Sequence, residues 1–407
     1  MADSTITTTR RGALRTAGLA IGGTALVGHA AAAPAASNGK LVFTYDDGPT
    51  DDYTQAYRKA HRKEGVPGCS AVPSASVGTK GSLDAARLRK LEDAGWEIMS
   101  HSVHHRALTN VAVTSDVSPG DETLRVETNL HGKLPGDELL VSDGSTSATV
   151  TVAGKGSDDE GKYLELESNV GTSFSASDGV TERYTDEILR SALGKSKRQL
   201  EGYGVTVTNI VMPYGGYGPR TQELVDEYYT AVANGGLAID GRGQIQKPDE
   251  LTLPHLSRAM FRQGKMTETE LGTFLDSVAD EDALGILGGH SWWRERLPAS
   301  RIRTAIRMAK DRDIDIVTLR DALSETNAAK TTTTGTTATK GTATKTTTGG
   351  TNGARAAGTN TTDGVAAGAE KTRTAGETTN GTGQPGFGVV SALVGVGSAA
   401  AWKLRKK

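Results

Sequence analysis

The stretch LVFTYDDGP, residues 41–49, joins a run of strand-forming residues to a polar turn that carries two adjacent carboxylates. The segments that follow it alternate between strand-like and helix-like patterns. Strands are predicted at residues 41–45, 67–72, 96–99, 209–212, 284–287 and 315–318 and near Ala231, and helices at residues 52–64, 82–94, 185–203, 221–229 and 299–312. The clearest helix has Ser82 as its predicted N-cap and Gly95 after its end. This order predicts a parallel α/β fold, either an open sheet or a barrel.

One block, residues 118–183, breaks the alternation. It has no helical period, many glycines, and alternating apolar runs separated by turn residues. We therefore predict a small all-β module inserted into a loop of an α/β domain that spans residues 38–326. Loop closure costs little more for a long insertion than for a short one, so the α/β domain is expected to fold without it. A passive decoration and a sugar- or surface-binding module both remain open for this block.

The composition excludes several classes of protein. The 407 residues include 46 Lys plus Arg and 48 Asp plus Glu, a net charge of −2, so no excess of basic residues favours a nucleic acid as partner. The single cysteine, Cys69, excludes an internal disulfide and any cysteine-rich zinc site. A bound metal ion would therefore need histidine and carboxylate ligands.

Polar residues follow several of the predicted strands. Asp46 and Asp47 end the first strand, SHSVHH (residues 100–105) follows the third, and GGHSWW (residues 288–293) follows a late one. Adjacent side chains at a strand end point in different directions, so one carboxylate can bind a metal while its neighbour accepts a proton. Two histidines four positions apart in SHSVHH could face one point if the segment made a helical turn. Two histidines and one carboxylate form a metal site that leaves positions open for water and substrate.

In their order along the chain, these motifs resemble the polysaccharide deacetylase family, the NodB-homology domain of carbohydrate esterases. The resemblance covers residues 38–323 apart from the β-rich block. It rests on TYDDGP (44–49), GWEIMSH (95–101) with the second histidine of the pair, MPYG (212–215), GGH (288–290) and DIVTL (315–319). It implies a deformed (β/α) barrel that hydrolyses N-acetyl, or O-acetyl, groups of a polysaccharide and releases acetate.

The resemblance also implies roles for the motif residues. One divalent cation, usually zinc in this family, would be held by Asp47, His101 and His105. Asp46 occupies the position of the family's catalytic base. His290 occupies the position of the histidine that protonates the leaving amine. His104, the middle histidine of the SHSVHH segment, is left outside the ligand set.

The third motif and the residues around the late histidine concern the substrate. Pro213 and Tyr214 match the motif that contacts substrate, the backbone N–H of Tyr214 would stabilise the oxyanion, and Trp292 is expected in the cleft. The family often has an arginine two residues before the proline, where this chain has Val211. Arg258 is a candidate replacement, and an ordinary surface arginine is the alternative. The family's aspartate–tryptophan fourth motif is not recognisable.

Both ends of the chain predict export and attachment at the cell surface. Residues 1–37 form an export signal and leader, in which Arg10 and Arg11 precede an apolar run as in twin-arginine signals. Residues 327–384, rich in Thr, Gly and Ala, predict a disordered stalk. Residues 385–407 resemble an archaeal PGF-type sorting signal, with a plain membrane anchor as the alternative. Export and sorting machinery and the membrane are therefore expected partners.

The residues together predict a metal-dependent hydrolase of linear amides that deacetylates a cell-surface or extracellular polysaccharide. One alternative is a catalytically weak or inactive deacetylase-like surface protein that binds glycan. Another is a different metal hydrolase that acts on esters or small amides. Metal-dependent release of acetate from an acetylated polymer distinguishes the three.

Overall fold

The computed structural model describes residues 39–234 and 245–324, which contain one largely parallel sheet and one antiparallel sheet. The predicted export signal and leader, the stalk and the C-terminal segment lie outside the described residues. Within those residues, no helix is long and apolar enough to cross a membrane. The strands in chain order are β1 (Lys40–Tyr45), β2 (Cys69–Val72), β3 (Glu97–Ser100), β4 (Val111–Ala112), β5 (Thr123–Val126), β6 (Glu138–Ser142), β7 (Ser147–Asp158), β8 (Gly161–Leu166), β9 (Thr181–Tyr184), β10 (Asn209–Ile210), β11 (Ala231–Ala233), β12 (Ile245–Gln246), β13 (His255–Leu256), β14 (Ala259–Met260), β15 (Leu284–Gly289) and β16 (Asp315–Ile316).

The parallel strands form a nearly closed ring. Strands β15, β1, β2, β3, β10, β11 and β13 are successive parallel neighbours. The short segment from His255 to Met260 closes the ring, because β13 pairs with β11 and β14 pairs with β15. Strand β12 adds to β15 in the antiparallel sense, and β16 pairs with β1. The predicted fold class, an α/β protein with a deformed (β/α) barrel and an inserted β module, is confirmed.

Alternation along β1 places side chains on two faces of the ring. Leu41, Phe43 and Tyr45 belong to the large apolar cluster that includes the surrounding helices, whereas Val42 belongs to a second, smaller cluster. Strands β1, β2, β3, β11, β13 and β15 contribute to that second cluster, as does the residue directly after β10, so the cluster lies inside the barrel. Its members include Val42, Ala71, Met99, Val211, Ala233, Leu256 and Ile286.

The helices follow the predicted alternation, with two differences. They lie at Asp52–His61 (of π type) with Arg62–Glu64, at Ala85–Asp93, at Asp186–Arg190 with Ser191–Lys195 and Ser196–Gly202, and at Pro219–Val225, Glu268–Asp280 and Ala299–Lys310. The N-cap of the second helix is Asp84, whose side chain accepts a hydrogen bond from the backbone N–H of Arg87, rather than Ser82. The helix Glu268–Asp280, which was not predicted, begins with a capping box between Thr267 and Glu270.

The second sheet is antiparallel and six-stranded, in the order β4-β9-β6-β7-β8-β5. It begins at Val111, before Ser118, and ends at Tyr184. Its buried apolar residues belong to the same large cluster as the outer face of the barrel. The sheet therefore shares a core with the barrel.

A buried carboxyl group ties three elements together beneath the carboxyl ends of the strands. Asp52, the first residue of the first helix, accepts hydrogen bonds from Ser70 Oγ (2.5 Å) in β2 and from Ser291 Oγ (2.6 Å) after β15. Burial raises the pKa of Asp52 to about 8, although the two hydroxyl groups oppose the shift. The carboxyl group thus binds its proton more tightly in the folded state than in the unfolded chain.

The raised pKa predicts a pH-dependent stability for the metal-free protein. Between about pH 4 and about pH 8 the folded state keeps a proton on Asp52 that the unfolded chain loses. The contribution of Asp52 to the free energy of unfolding therefore falls as pH rises, by at most about 1.4 kcal/mol per pH unit. Asp52→Asn should remove that dependence and gain stability relative to the parent as pH rises. Urea unfolding in chelator at several pH values measures it.

Asp143→Asn is the matched control, because the backbone N–H groups of Thr146 and Ser145 hold the pKa of Asp143 below its usual range. Its contribution is lost only as pH falls through that lowered pKa, so its effect should stay constant above about pH 5. If the free energies of unfolding of Asp52→Asn and of the parent changed with pH in parallel, the raised pKa of Asp52 would be contradicted.

Candidate metal and catalytic site

The chemically distinctive residues lie together at the carboxyl ends of the parallel strands. Asp46 and Asp47 directly follow β1, His101 directly follows β3, and His290 directly follows β15. Arg258 lies between β13 and β14, within the segment that closes the ring. The carboxyl end of the strands is the face on which barrel enzymes build their active sites.

Asp47, His101 and His105 form a group that could hold a metal ion. One ligand atom from each residue lies within 4.8 Å of the others. Asp47 Oδ1 is 3.5 Å from His101 Nε2 and 3.1 Å from His105 Nε2. His104 is exposed and does not belong to this group. The structure thus brings together the three residues proposed as ligands and leaves His104 outside.

The chemistry of these atoms fits a divalent cation. His101 Nδ1 is 2.7 Å from the carbonyl oxygen of Val211, which can only accept, so Nδ1 carries a proton and Nε2 is the ring nitrogen directed at Asp47. Asp47 Oδ1 is buried and has no hydrogen-bond partner among the residues that the structure describes. Burial lowers the pKa of His105, which favours its neutral form although Asp47 opposes the shift. A divalent cation held between these atoms would pair the Asp47 carboxylate with both imidazole nitrogens.

The two histidine ligands converge through a loop, so the helical turn considered for residues 100–105 is not present. Ser102 and His105 both have positive φ angles, 57° and 55°. The backbone N–H of Arg106 donates to Ser102 Oγ (3.1 Å) across this loop. Left-handed backbone at these two positions, rather than helical spacing, turns both rings toward Asp47.

Asp46 is buried and is held by Arg258. Arg258 donates to both carboxylate oxygens of Asp46, at 2.6 and 2.8 Å, and to Thr44 Oγ1 at 3.0 Å. Burial by itself raises the pKa of Asp46, but Arg258 outweighs it and holds the pKa below its usual range. A Cβ at Gly288 would lie 2.5 Å from Arg258 Cδ, so the glycine makes room for the arginine. Arg258 is therefore a buried partner of Asp46 and not a surface arginine.

His290 lies on the other side of Asp47, among aromatic rings. Its Nε2 is 3.6 Å from Asp47 Oδ2, and its Nδ1 is buried without a hydrogen-bond partner among the described residues. The rings of Trp293 and Trp292 lie 4.0 and 5.6 Å from the imidazole. Burial lowers the pKa of His290, against the attraction of Asp46 and Asp47. The ring is thus close to the carboxylates and has one nitrogen available for proton transfer.

Two exposed aromatic residues border the site. Tyr214 has a φ of 61° and is 49% exposed, and its ring lies 4.6 Å from that of His105. Trp292 is 39% exposed, and its indole N–H donates to Asp47 Oδ2 at 3.0 Å. Pro213, beside Tyr214, is buried. Among the described residues these are the large apolar side chains that remain exposed, and both contact the ligand set.

Sequence reasoning did not identify Asp52 and Ser291 as supports of the site. Ser291 immediately follows His290, and its bond to Asp52 fixes the start of that loop. The sequence showed only that a serine directly follows the motif histidine. Its hydrogen-bond partner, Asp52, could not be inferred, because the two residues are far apart in the chain.

The comparisons with known proteins match part of the chain to a family. Residues 34–127 match the profile of the family described as "Polysaccharide deacetylase". No curated protein matches the chain. Solved structures similar to it include T48 deacetylase with substrate (13% identity, 70% of this chain, 90% of that one, TM-score 0.37) and a family 4 acetyl xylan esterase from Clostridium thermocellum in complex with a cobalt ion (14%, 72%, 91%, TM-score 0.37).

A family 4 pseudoenzyme from Bacillus anthracis is also similar, with 10% identity over 70% of this chain and 65% of that one and a TM-score of 0.37. The profile match includes Asp46, Asp47, His101 and His105 and ends within the antiparallel sheet. Residues 34–127, which carry the proposed base and all three proposed ligands, are therefore similar to polysaccharide deacetylases.

Proposed function

We propose that the protein is a metal-dependent deacetylase that hydrolyses N-acetyl, or O-acetyl, groups of a polysaccharide and releases acetate. The observation that carries the proposal is the pairing of two adjacent carboxylates with different partners. Asp46 is kept ionised by Arg258, whereas Asp47 faces two histidine nitrogens. One carboxylate is thus available as a base, and its neighbour is available as a metal ligand.

The first half of the proposed reaction is the attack of a water molecule on the acetyl carbon. Asp47, His101 and His105 would hold a divalent cation, for which we propose zinc, and when bound it would supply Lewis acidity toward the acetyl carbonyl and toward a water molecule. Asp46 accepts the proton of the attacking water. The backbone N–H of Tyr214 donates to the oxygen on which negative charge develops.

The second half of the reaction expels the leaving group. His290 donates a proton to the nitrogen of the leaving amine, or to the oxygen of a leaving alcohol, and acetate departs. The exposed rings of Tyr214 and Trp292, which border the ligand set, offer apolar faces to a sugar ring. Arg258 keeps Asp46 in the form that can accept a proton.

We further propose that this reaction takes place outside the cytoplasm, on a cell-surface or extracellular polymer. Support comes from the sequence of the two ends, where a paired-arginine leader precedes the barrel and a Thr-rich segment with an apolar, basic tail follows it. The twin-arginine route carries folded proteins and so suits an enzyme that acquires its metal before export. Attachment to the membrane would follow through the tail itself or through a lipid that replaces it.

The metal site is tested by metal content and affinity. We expect about one divalent cation per chain, and loss of most of it in His101→Ala, because the site has three protein ligands. Competition with a chromophoric chelator gives the dissociation constant. His104→Ala is the matched control and should bind metal as the parent does, since His104 lies outside the group. Full occupancy in the His101→Ala, His105→Ala double variant would refute the ligand assignment.

The roles of the neighbouring carboxylates are tested by separating metal binding from turnover. Asp46→Asn should keep its metal and lose acetate release by about 10²-fold or more, because the base is removed. Asp47→Asn should lose affinity for the metal itself, and His290→Ala should keep the metal and slow departure of the amine. Acetate release from a panel of acetylated glycans, with and without chelator, is the assay. Full activity in Asp46→Asn would exclude it as the base, and no acetate from any glycan would favour the inactive glycan-binding alternative.

The partnership of Arg258 with Asp46 predicts a shift in the pH profile. Arg258→Gln removes the positive charge that favours the carboxylate, so the pKa of Asp46 should rise and the acidic limb of kcat/KM should move up by about one pH unit or more. Arg258→Lys keeps the charge and should shift the limb less. Arg125→Gln, which breaks a two-point pair far from Asp46 in the antiparallel sheet, is the control. An unmoved limb in a folded Arg258→Gln enzyme would rule out this role.

A further inference from the structure

The loop that carries His105 is held from outside the barrel. The next residue, Arg106, donates from Nε to Asp137 Oδ2 (2.8 Å) and from Nη2 to Asp137 Oδ1 (2.7 Å). Asp137 immediately precedes β6 of the antiparallel sheet and is buried. Two parallel hydrogen bonds between charged groups fix orientation as well as distance. The backbone of the metal loop is thus attached to the second sheet one residue beyond a proposed ligand.

A second attachment follows at the next residue. The carbonyl oxygen of Ala107 lies 2.7 Å from His131 Nε2, and His131 Nδ1 lies 2.6 Å from Glu182 Oε2 in β9. The carbonyl oxygen accepts from Nε2. Burial lowers the pKa of His131, but Glu182 outweighs it and holds that pKa above its usual range, which favours the positively charged ring. The imidazole and the carboxylate are fully buried. Tyr184 packs on this ring at 4.3 Å, and the Arg106 guanidinium lies over the same tyrosine.

His105 depends on such attachments more than His101 does. The ring of His101 is fixed by its hydrogen bond to Val211 of the barrel. No comparable bond to the second ring nitrogen of His105 is found within the described residues, so its position follows from its backbone and from packing against Tyr214. That backbone has a φ of 55°, which is unfavourable for a non-glycine residue and persists only where neighbouring contacts impose it.

We propose that the antiparallel sheet is a positioning element of the metal site, in which Asp137 and the His131–Glu182 pair hold the backbone that presents His105. Asp137, His131 and Glu182 touch neither metal nor substrate and act through Arg106 and Ala107. The inference rests on the proposed function, since it takes His105 as a ligand. It gives the inserted block a role in the site, and the expectation that the α/β domain folds without that block stays a prediction.

The test compares two arginine–aspartate pairs of the same sheet by metal affinity. Asp137→Asn should weaken binding of Co²⁺ by about tenfold or more, as outer contacts of metal ligands do, and change the visible spectrum of the bound ion. Asp158→Asn breaks the two-point pair with Arg125, which does not touch the metal loop, and should leave both readouts unchanged. Circular dichroism and urea unfolding of the metal-free proteins check that each variant folds.

Further variants and the parent protein separate the possible failures. Arg106→Lys keeps the charge but loses the two-point contact, so it should weaken metal binding with the sheet left intact. Asp137→Glu keeps the carboxylate, so it should bind Co²⁺ more tightly than Asp137→Asn does. If Asp137→Asn and Arg106→Lys fold and bind Co²⁺ as tightly as the parent, or lose only stability, the inference is overturned. If the parent binds no Co²⁺, or His101→Ala binds it equally well, the proposed metal site itself fails.

Discussion

The two-point contact between Arg258 and Asp46 is the interaction on which the rest of the site depends. A buried carboxylate without a partner would take up a proton, and a protonated Asp46 could not act as a base. Removal of one member of a buried ion pair typically costs about 3–5 kcal/mol, so fold and chemistry share this contact. Arg258 also lies in the segment His255–Met260, which closes the ring of strands. The barrel therefore reaches its closed form and gains an ionised base through the same residues.

Much of this arrangement could be predicted from the sequence, because its signals are local. Strands β1 and β3 and the motif residues after them are contiguous in the chain, and alternation alone predicts which strand ends meet. The partnership of Arg258 spans more than 200 residues of sequence, and no local pattern distinguishes it from a surface arginine. Its one trace was Gly288, whose missing side chain leaves the space that Arg258 fills. The helix Glu268–Asp280 was overlooked although Thr267 and Glu270 spell its capping box.

The histidine pair shows why spacing alone could not give the geometry. A separation of four residues suggests one face of a helix, yet the rings meet through left-handed backbone at Ser102 and His105. Non-glycine residues adopt that conformation rarely and only where surrounding contacts impose it. The carbonyl oxygen of Ser102 accepts hydrogen bonds from Ser74 and Ser196 of the α/β domain, whereas the antiparallel sheet contacts Arg106 and Ala107, directly after His105. The loop that carries His105 and the sheet that contacts it lie next to each other in the fold but are separated in the sequence. Local patterns therefore could not relate them.

The two histidines are consequently held by different parts of the protein. The ring of His101 is buried and is fixed within the barrel by its hydrogen bond to the carbonyl oxygen of Val211. The ring of His105 is half-buried and packs against the exposed ring of Tyr214. On the proposed roles, changes in the inserted sheet would alter affinity for the metal through His105 while leaving Asp46 and its arginine untouched. The barrel would then supply the base and the first histidine ligand, and the insertion would adjust how firmly the half-buried His105 is held.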